Sequence, residues 1–163
     1  MTDTGNPRAE FPWAAGVFFG LGLGGFFDGI VLHQNLPSHT VLSSAGFPAD
    51  TVAGLRWNTL FDGLFHAATY IFVIIGLILL WRSSRRRHLR WSNRLLIGSV
   101  LMGFGIFNLV EGTVNHHILG LHHVNETVPR AQWPLRDAGF LIWGAAMILV
   151  GWLLRRRAAS RPS

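Results

Sequence analysis

The chain has 163 residues, enough for one domain of ordinary size. Half of it is hydrophobic and only 13% is charged, against about 25% in a soluble domain, which argues against both disorder and an ordinary soluble fold. The absence of cysteine excludes a disulfide framework, a Cys-ligated zinc or iron–sulfur site and a Cys nucleophile.

Four uncharged runs decide the fold class. They cover 11–27, 63–81, 95–110 and 138–154 and are 16–19 residues long. A spanning helix needs about 20 mostly apolar residues, so each run is extended through one carboxylate: Asp28, Asp62, Glu111 or Asp137. The expected fold is an all-α polytopic membrane protein, a four-transmembrane-helix bundle with spans at about 13–34, 57–81, 93–117 and 135–154. A short segment, 1–12, precedes it and an Arg-rich tail, 155–163, follows. Helices of a soluble bundle would need polar outer faces, and these runs are apolar all round. Trp13, Trp57, Trp81, Trp91, Trp133 and Trp152 stand near the expected ends, as an aromatic belt does. The first run is read as a span and not a signal peptide, because Asp3 and Glu10 flank a single Arg8 and no small-residue cleavage site follows.

The fourteen cations, all Arg, set the expected orientation. Arg82, Arg85, Arg86, Arg87, Arg90 and Arg94 fill the link between spans two and three, and Arg155, Arg156, Arg157 and Arg161 follow span four. Only Arg56, Arg130 and Arg136 lie in the other two links. The positive-inside rule then puts both termini and the Arg-rich link in the cytoplasm of a bacterial inner membrane. Despite the net charge of +6, this topogenic pattern leaves no Arg face for nucleic acid. His88, inside the Arg run, reads as a solvated residue.

This orientation puts the polar residues of all four spans in the outer half of the bilayer. Asp28 and His33 lie near the outer end of span one, and Asp62 and His66 in the outer half of span two. Glu111, Asn115, His116 and His117 close span three, and Asp137 opens span four. Asn108 is the one polar residue on the way to them. A carboxylate at a span's centre costs about 2.5–3.5 kcal/mol on the insertion scale, so the acids must face the interior and find partners there. With few Arg on that side, those partners are His, water or a metal cation.

The pattern also repeats. Asp28-Gly29 to His33 and Glu111-Gly112 to His116 both read acid-Gly-x-x-x-His, and Trp57 and Trp133 each precede an acid. The reading is two helical hairpins related by a rough two-fold along the membrane normal, which brings the acids around one axis. Asp62 and His66, four apart, share a helix face and could hold one metal. Asp28 and His33, five apart, cannot both point at the axis of an ideal α-helix unless it loosens after Gly29, for instance as a π-bulge. Glu111 and His116 pose the same problem, while Asn115 shares the Glu111 face.

Beyond span three, His116, His117, His122 and His123 fall within eight residues, and His39 is a fifth His on the outer side. Histidine is the commonest metal ligand. Imidazole and carboxylate without sulfur suit zinc, iron, manganese or copper(II). The candidate ligands are Asp28, His33, Asp62, His66, Glu111, His116, His117, His122 and His123. They exceed the four to six ligands of one ion, so some support others or serve a second ion. The glycines Gly16, Gly20, Gly22, Gly24 and Gly25 read as a packing face, since no strand precedes them to make a phosphate loop. No Ser stands in a nucleophile elbow.

Several of these motifs resemble a family of bacterial four-helix membrane proteins of unknown function. They are Phe27-Asp28-Gly29 with His33-Gln34, Asp62-Gly63-Leu64-Phe65-His66, Phe107-Asn108 with Glu111-Gly112, Asn115-His116-His117, Leu119-Gly120, His122-His123-Val124 and Asp137-Ala138-Gly139-Phe140-Leu141. The resemblance spans about 11–154. Where the family often has an aromatic followed by two His in the first outer loop, this chain has Pro37-Ser38-His39. The resemblance implies fold and location and no particular activity.

The expected function is transition-metal binding near the extracytoplasmic face, with Cu, Zn and Fe all compatible, for redox chemistry or metal handling. Partners would then be the lipid bilayer and a metalloenzyme or second copy within it. The alternatives are a metal-free proton relay or small-solute transporter, and a haem-binding electron carrier with axial His from two spans.

Overall fold

A computed structural model describes residues 11–35, 39–85 and 91–159. The expectations for the N-terminal segment up to residue 10, for Pro37 and Ser38, for Arg86, Arg87, His88 and Arg90, and for Arg161 lie outside the described residues.

The described residues are all-helical, with α1 Trp13–Phe26, α2 Val52–Ser84, α3 Asn93–Glu111 and α4 Trp133–Ala159. Four helical stretches are long and apolar enough to cross a membrane: Trp13–Asn35, Val52–Ser84, Asn93–Ile118 and Arg130–Ala158, with mean hydropathies of 1.7, 2.3, 1.7 and 1.8. Span two begins earlier than the Trp57 expected from the pattern. Thr51 caps it, its hydroxyl accepting the Gly54 N–H at 3.0 Å. Span four is preceded by a 3₁₀ turn at Arg130–Gln132 and runs on through Arg155, Arg156 and Arg157, which the charge pattern places in a tail.

The C-terminal ends of spans one and three are π-helical, over Phe27–Asn35 and Gly112–Ile118. This is the loosening that the five-residue acid–His spacing requires. A π-turn bonds residue i to i+5, so positions five apart return to one side of the helix.

The spans line up in the order α2, α1, α3, α4: α1 packs on both α2 and α3, and α4 packs on α3. The hairpins α1–α2 and α3–α4 therefore meet through α1 and α3. In their apolar windows α1 and α3 are 44% buried, against 11% for α2 and 22% for α4. Glycine makes the central seam possible. A Cβ on Gly20 would overlap the Val100 carbonyl, and one on Gly103 the Val17 carbonyl, so any side chain there would push the two helices apart. Large apolar side chains such as Leu64, Ile71, Leu77, Ile142 and Leu149 point outward, as lipid-facing surfaces require.

The loops that follow spans one and three are tied over one end of the bundle. Ser44 N–H donates to Leu121 O at 3.0 Å, and the Ser44 hydroxyl to Glu126 Oε1 at 2.6 Å. Asn58, buried in α2, anchors the first loop: its Oδ1 accepts Leu42 N–H at 2.8 Å and its Nδ2 donates to Phe47 O at 2.8 Å. At the opposite end the Arg155 guanidinium lies 4.8 Å over the Trp13 ring.

Candidate metal centre

The acids and imidazoles of all four spans converge beneath the tied loops. Each π-helical turn carries one histidine that bridges two carboxylates. His33 Nε2 stands 3.4 Å from Asp28 Oδ2, and its Nδ1 3.2 Å from Asp62 Oδ1. His116 Nε2 stands 3.4 Å from Glu111 Oε1, and its Nδ1 3.5 Å from Asp137 Oδ1. The two brackets match atom for atom: the Nε2 side faces the acid of the same span, the Nδ1 side an acid in the first half of the partner helix. Phe65 backs His33 with ring centroids 5.9 Å apart, and Phe140 backs His116 at 5.6 Å.

The sequence repeat is thus deeper than the acid-Gly-x-x-x-His echo. Asp28, Gly29, His33 and His39 recur 83 positions later as Glu111, Gly112, His116 and His122. Asp62 and Phe65 recur 75 positions later as Asp137 and Phe140. His39 and His122, one from each of the tied loops, stack face to face between the brackets at 4.7 Å and 9°. His122 also touches His33 at 5.1 Å and His116 at 4.9 Å between ring centroids.

His122 holds the middle. Its Nδ1–H donates to Val41 O at 3.0 Å, which leaves Nε2 facing Glu111 Oε1 at 3.1 Å. Burial alone would lower its pKa, but the hydrogen bond and charge of Glu111 outweigh burial and hold it above the ordinary imidazole value. His39 goes the other way. Burial, followed by the neighbouring His122 and His33 rings, pushes it down to about 2, which favours the neutral imidazole.

Two buried groups have donor atoms within 4.8 Å of one another: His33, His39 and His122, and Glu111, His116 and His122. Around them Asp28 Oδ2, His33 Nε2, Glu111 Oε2 and His116 Nδ1 are buried without a hydrogen-bond partner. Buried polar atoms are normally satisfied. A neutral imidazole has one N–H and can serve only one carboxylate of its bracket, so the other contact calls for an additional cation, a proton or a metal ion.

The remaining candidates are placed differently. Asp62 pairs with His33 and not with His66, although it shares a helix face with His66. The His66 Nδ1–H donates to the Asp62 backbone carbonyl at 2.7 Å, and its Nε2 lies buried next to Gly29. His123 Nδ1 is 2.6 Å from Asp137 Oδ2, at the edge of the centre. His117 is exposed, away from the cluster. Asn115 does reach Glu111, its Nδ2 donating to Oε1 at 3.3 Å. Asn108, one turn below Glu111, is buried with neither side-chain polar atom hydrogen-bonded. His39 and Asp137 join the centre, and the outer-loop His count had pointed to the first of these. Asn58, which fixes the loop that carries His39, was not singled out; its signal was an amide beside Trp57 near the start of span two.

A family model described as "Predicted membrane protein (DUF2243)" matches residues 15–158. The chain belongs to this family of membrane proteins. No curated protein and no solved structure matches it. The family match and the four apolar helices place the chain in a lipid bilayer, and the match takes in both brackets and both stacked imidazoles.

Proposed function

We propose that the chain binds a transition-metal ion in this His/carboxylate centre, near the extracytoplasmic face of a bacterial cytoplasmic membrane, with both termini inside. The single observation that carries the reading is the pair of buried ligand groups that share His122. Imidazole and carboxylate donors without sulfur are the set that zinc, iron and copper(II) have in common. One of the two groups, His33 with His39 and His122 or Glu111 with His116 and His122, would hold the ion, with Asp62 and Asp137 fixing the rings of His33 and His116 from behind. His122 gives Nδ1–H to Val41 and has only Nε2 to offer, so the two groups compete for it. One ion per chain is the expected stoichiometry. The imidazoles are in ring contact with one another, which favours an ion over a haem macrocycle between them. An ion held there serves redox chemistry or metal handling, including supply to a metalloenzyme in the same membrane or a second copy of the chain.

The matching carboxylate–imidazole–carboxylate brackets favour a second reading, a metal-free proton relay through His33 and His116. Metal analysis of protein purified in mild detergent, without chelator or affinity tag, separates the two. One equivalent of a single metal, lost in His122→Ala and kept in His117→Ala, is the expected result. No metal above background after reloading with zinc, iron and copper overturns the metal reading and leaves the relay.

A further inference from the structure

A second site adjoins the centre from the side of the bilayer. Among the described residues the α2 backbone packs along α1 and α2 reaches α3 through side chains such as Phe65, which leaves a cleft between α2 and α3 with α1 as its floor. It holds a cavity of about 370 Å³. Leu21 forms part of the floor, and Phe65, Phe72 and Phe107 are aromatic walls. Phe65 and Phe107 meet edge to face across it, centroids 5.9 Å apart. The only polar residues lining it are Glu111 and Asn115. Val110 at its rim is more than half exposed, so the cleft is open on the side where lipid lies.

The chemistry of the cleft narrows its occupant. Glu111 Oε1 is taken by His122, His116 and Asn115, whereas Oε2 is buried with no hydrogen-bond partner. A buried carboxylate oxygen without a donor is costly, and an acyl chain brings no donor. Aromatic walls favour a flat ring, by offset or edge-to-face contact. A molecule reaching the cleft through the membrane must itself be apolar over most of its surface.

We propose that this cleft binds a bilayer-dissolved molecule with a hydroxylated aromatic head, a phenol or quinol. Its ring lies among Phe65, Phe72 and Phe107, and its hydroxyl donates to the free oxygen of Glu111. The site goes beyond the metal reading and needs no ion, yet it brings the ligand's oxygen to a carboxylate that the centre also uses.

The test is photolabelling of the full chain in lipid nanodiscs with a diazirine-bearing alkylphenol, and in parallel with its O-methyl ether. Label should fall on peptides carrying Leu21, Phe72 or Phe107. Unlabelled 4-hexylphenol should compete about tenfold or more better than 4-hexylanisole, the effect of one hydrogen bond to a charged acceptor. Leu21→Trp, which fills the floor, should abolish the labelling, while Leu77→Trp, on a lipid-facing position of α2, should not. Equal competition by phenol and ether would show a groove for acyl chains only and overturn the proposal. Label that persists in Leu21→Trp would also overturn it. Labelling is measured on metal-free protein as well, so failure of the metal reading leaves this result unchanged.

Discussion

The matched brackets predict that their two rear acids act alike on the metal and differently on the fold. Asp62 meets the centre only through His33 Nδ1, at 3.2 Å, and its side chain is 20% exposed. Asp62→Asn removes the charge that orients His33 while leaving a side chain of the same shape at a partly wet position. Losing such a supporting carboxylate costs about 10–100-fold in metal affinity, or about 1.4–2.7 kcal/mol. Asp137 orients His116 in the equivalent way, so Asp137→Asn should lose metal affinity in the same range. But Asp137 is buried and does more. Its Oδ1 accepts the Val124 N–H at 3.0 Å, and its Oδ2 faces His123 Nδ1 at 2.6 Å. An amide keeps one acceptor where the carboxylate had two, so one of these contacts is lost inside the fold. That adds about 1–3 kcal/mol of destabilisation that Asp62→Asn does not show. Competitive titration against a chromophoric chelator gives the affinities, and tryptophan-fluorescence melting of the metal-free proteins gives the stabilities. The reasoning fails if Asp62→Asn binds metal within twofold of the parent, or if the two variants melt together.

Two further predictions follow from the loop histidines and the Arg distribution. Without metal, His122 holds its proton above the ordinary imidazole range, and a metal ion must displace that proton from Nε2. Affinity should therefore fall as pH is lowered through that raised value, by about tenfold per pH unit for one displaced proton; an affinity flat between about pH 8 and about pH 6, where imidazoles titrate, would refute this competition. Because the chain lacks cysteine, single-cysteine variants report topology cleanly. Asp50→Cys, in the first outer loop, should react with a membrane-impermeant maleimide on intact cells and Ser84→Cys should not; the reverse pattern would invert the assigned orientation.

The membrane class, the four spans and the small-residue packing face were legible because each depends on local, one-dimensional properties: charge-free length and glycine spacing. The sequence also carried the geometric conflict at Asp28–His33 and Glu111–His116, and the π-helical turns resolve it because an i to i+5 backbone is the local distortion that aligns residues five apart. The partners of the site were not legible in this way. A shared face of α2 suggested Asp62 with His66. The tertiary fold instead gave Asp62 to His33, because α1 lies against that face and offers an imidazole N–H, while His66 is satisfied by its own helix's carbonyl. His117 has the same motif credentials as His116, yet the π-turn points one inward and leaves the other exposed.

By itself the sequence determined that four apolar helices cross a bilayer and that their acids and imidazoles gather at one end, since hydrophobic length and residue chemistry are properties of the chain. Only the tertiary structure decided that the two hairpins meet through α1 and α3, that His39 and His122 stack between matched brackets, and that a cleft opens between α2 and α3 beside Glu111. Those outcomes rest on contacts between segments far apart in the chain, made possible by glycines at Gly20 and Gly103 that let two backbones touch.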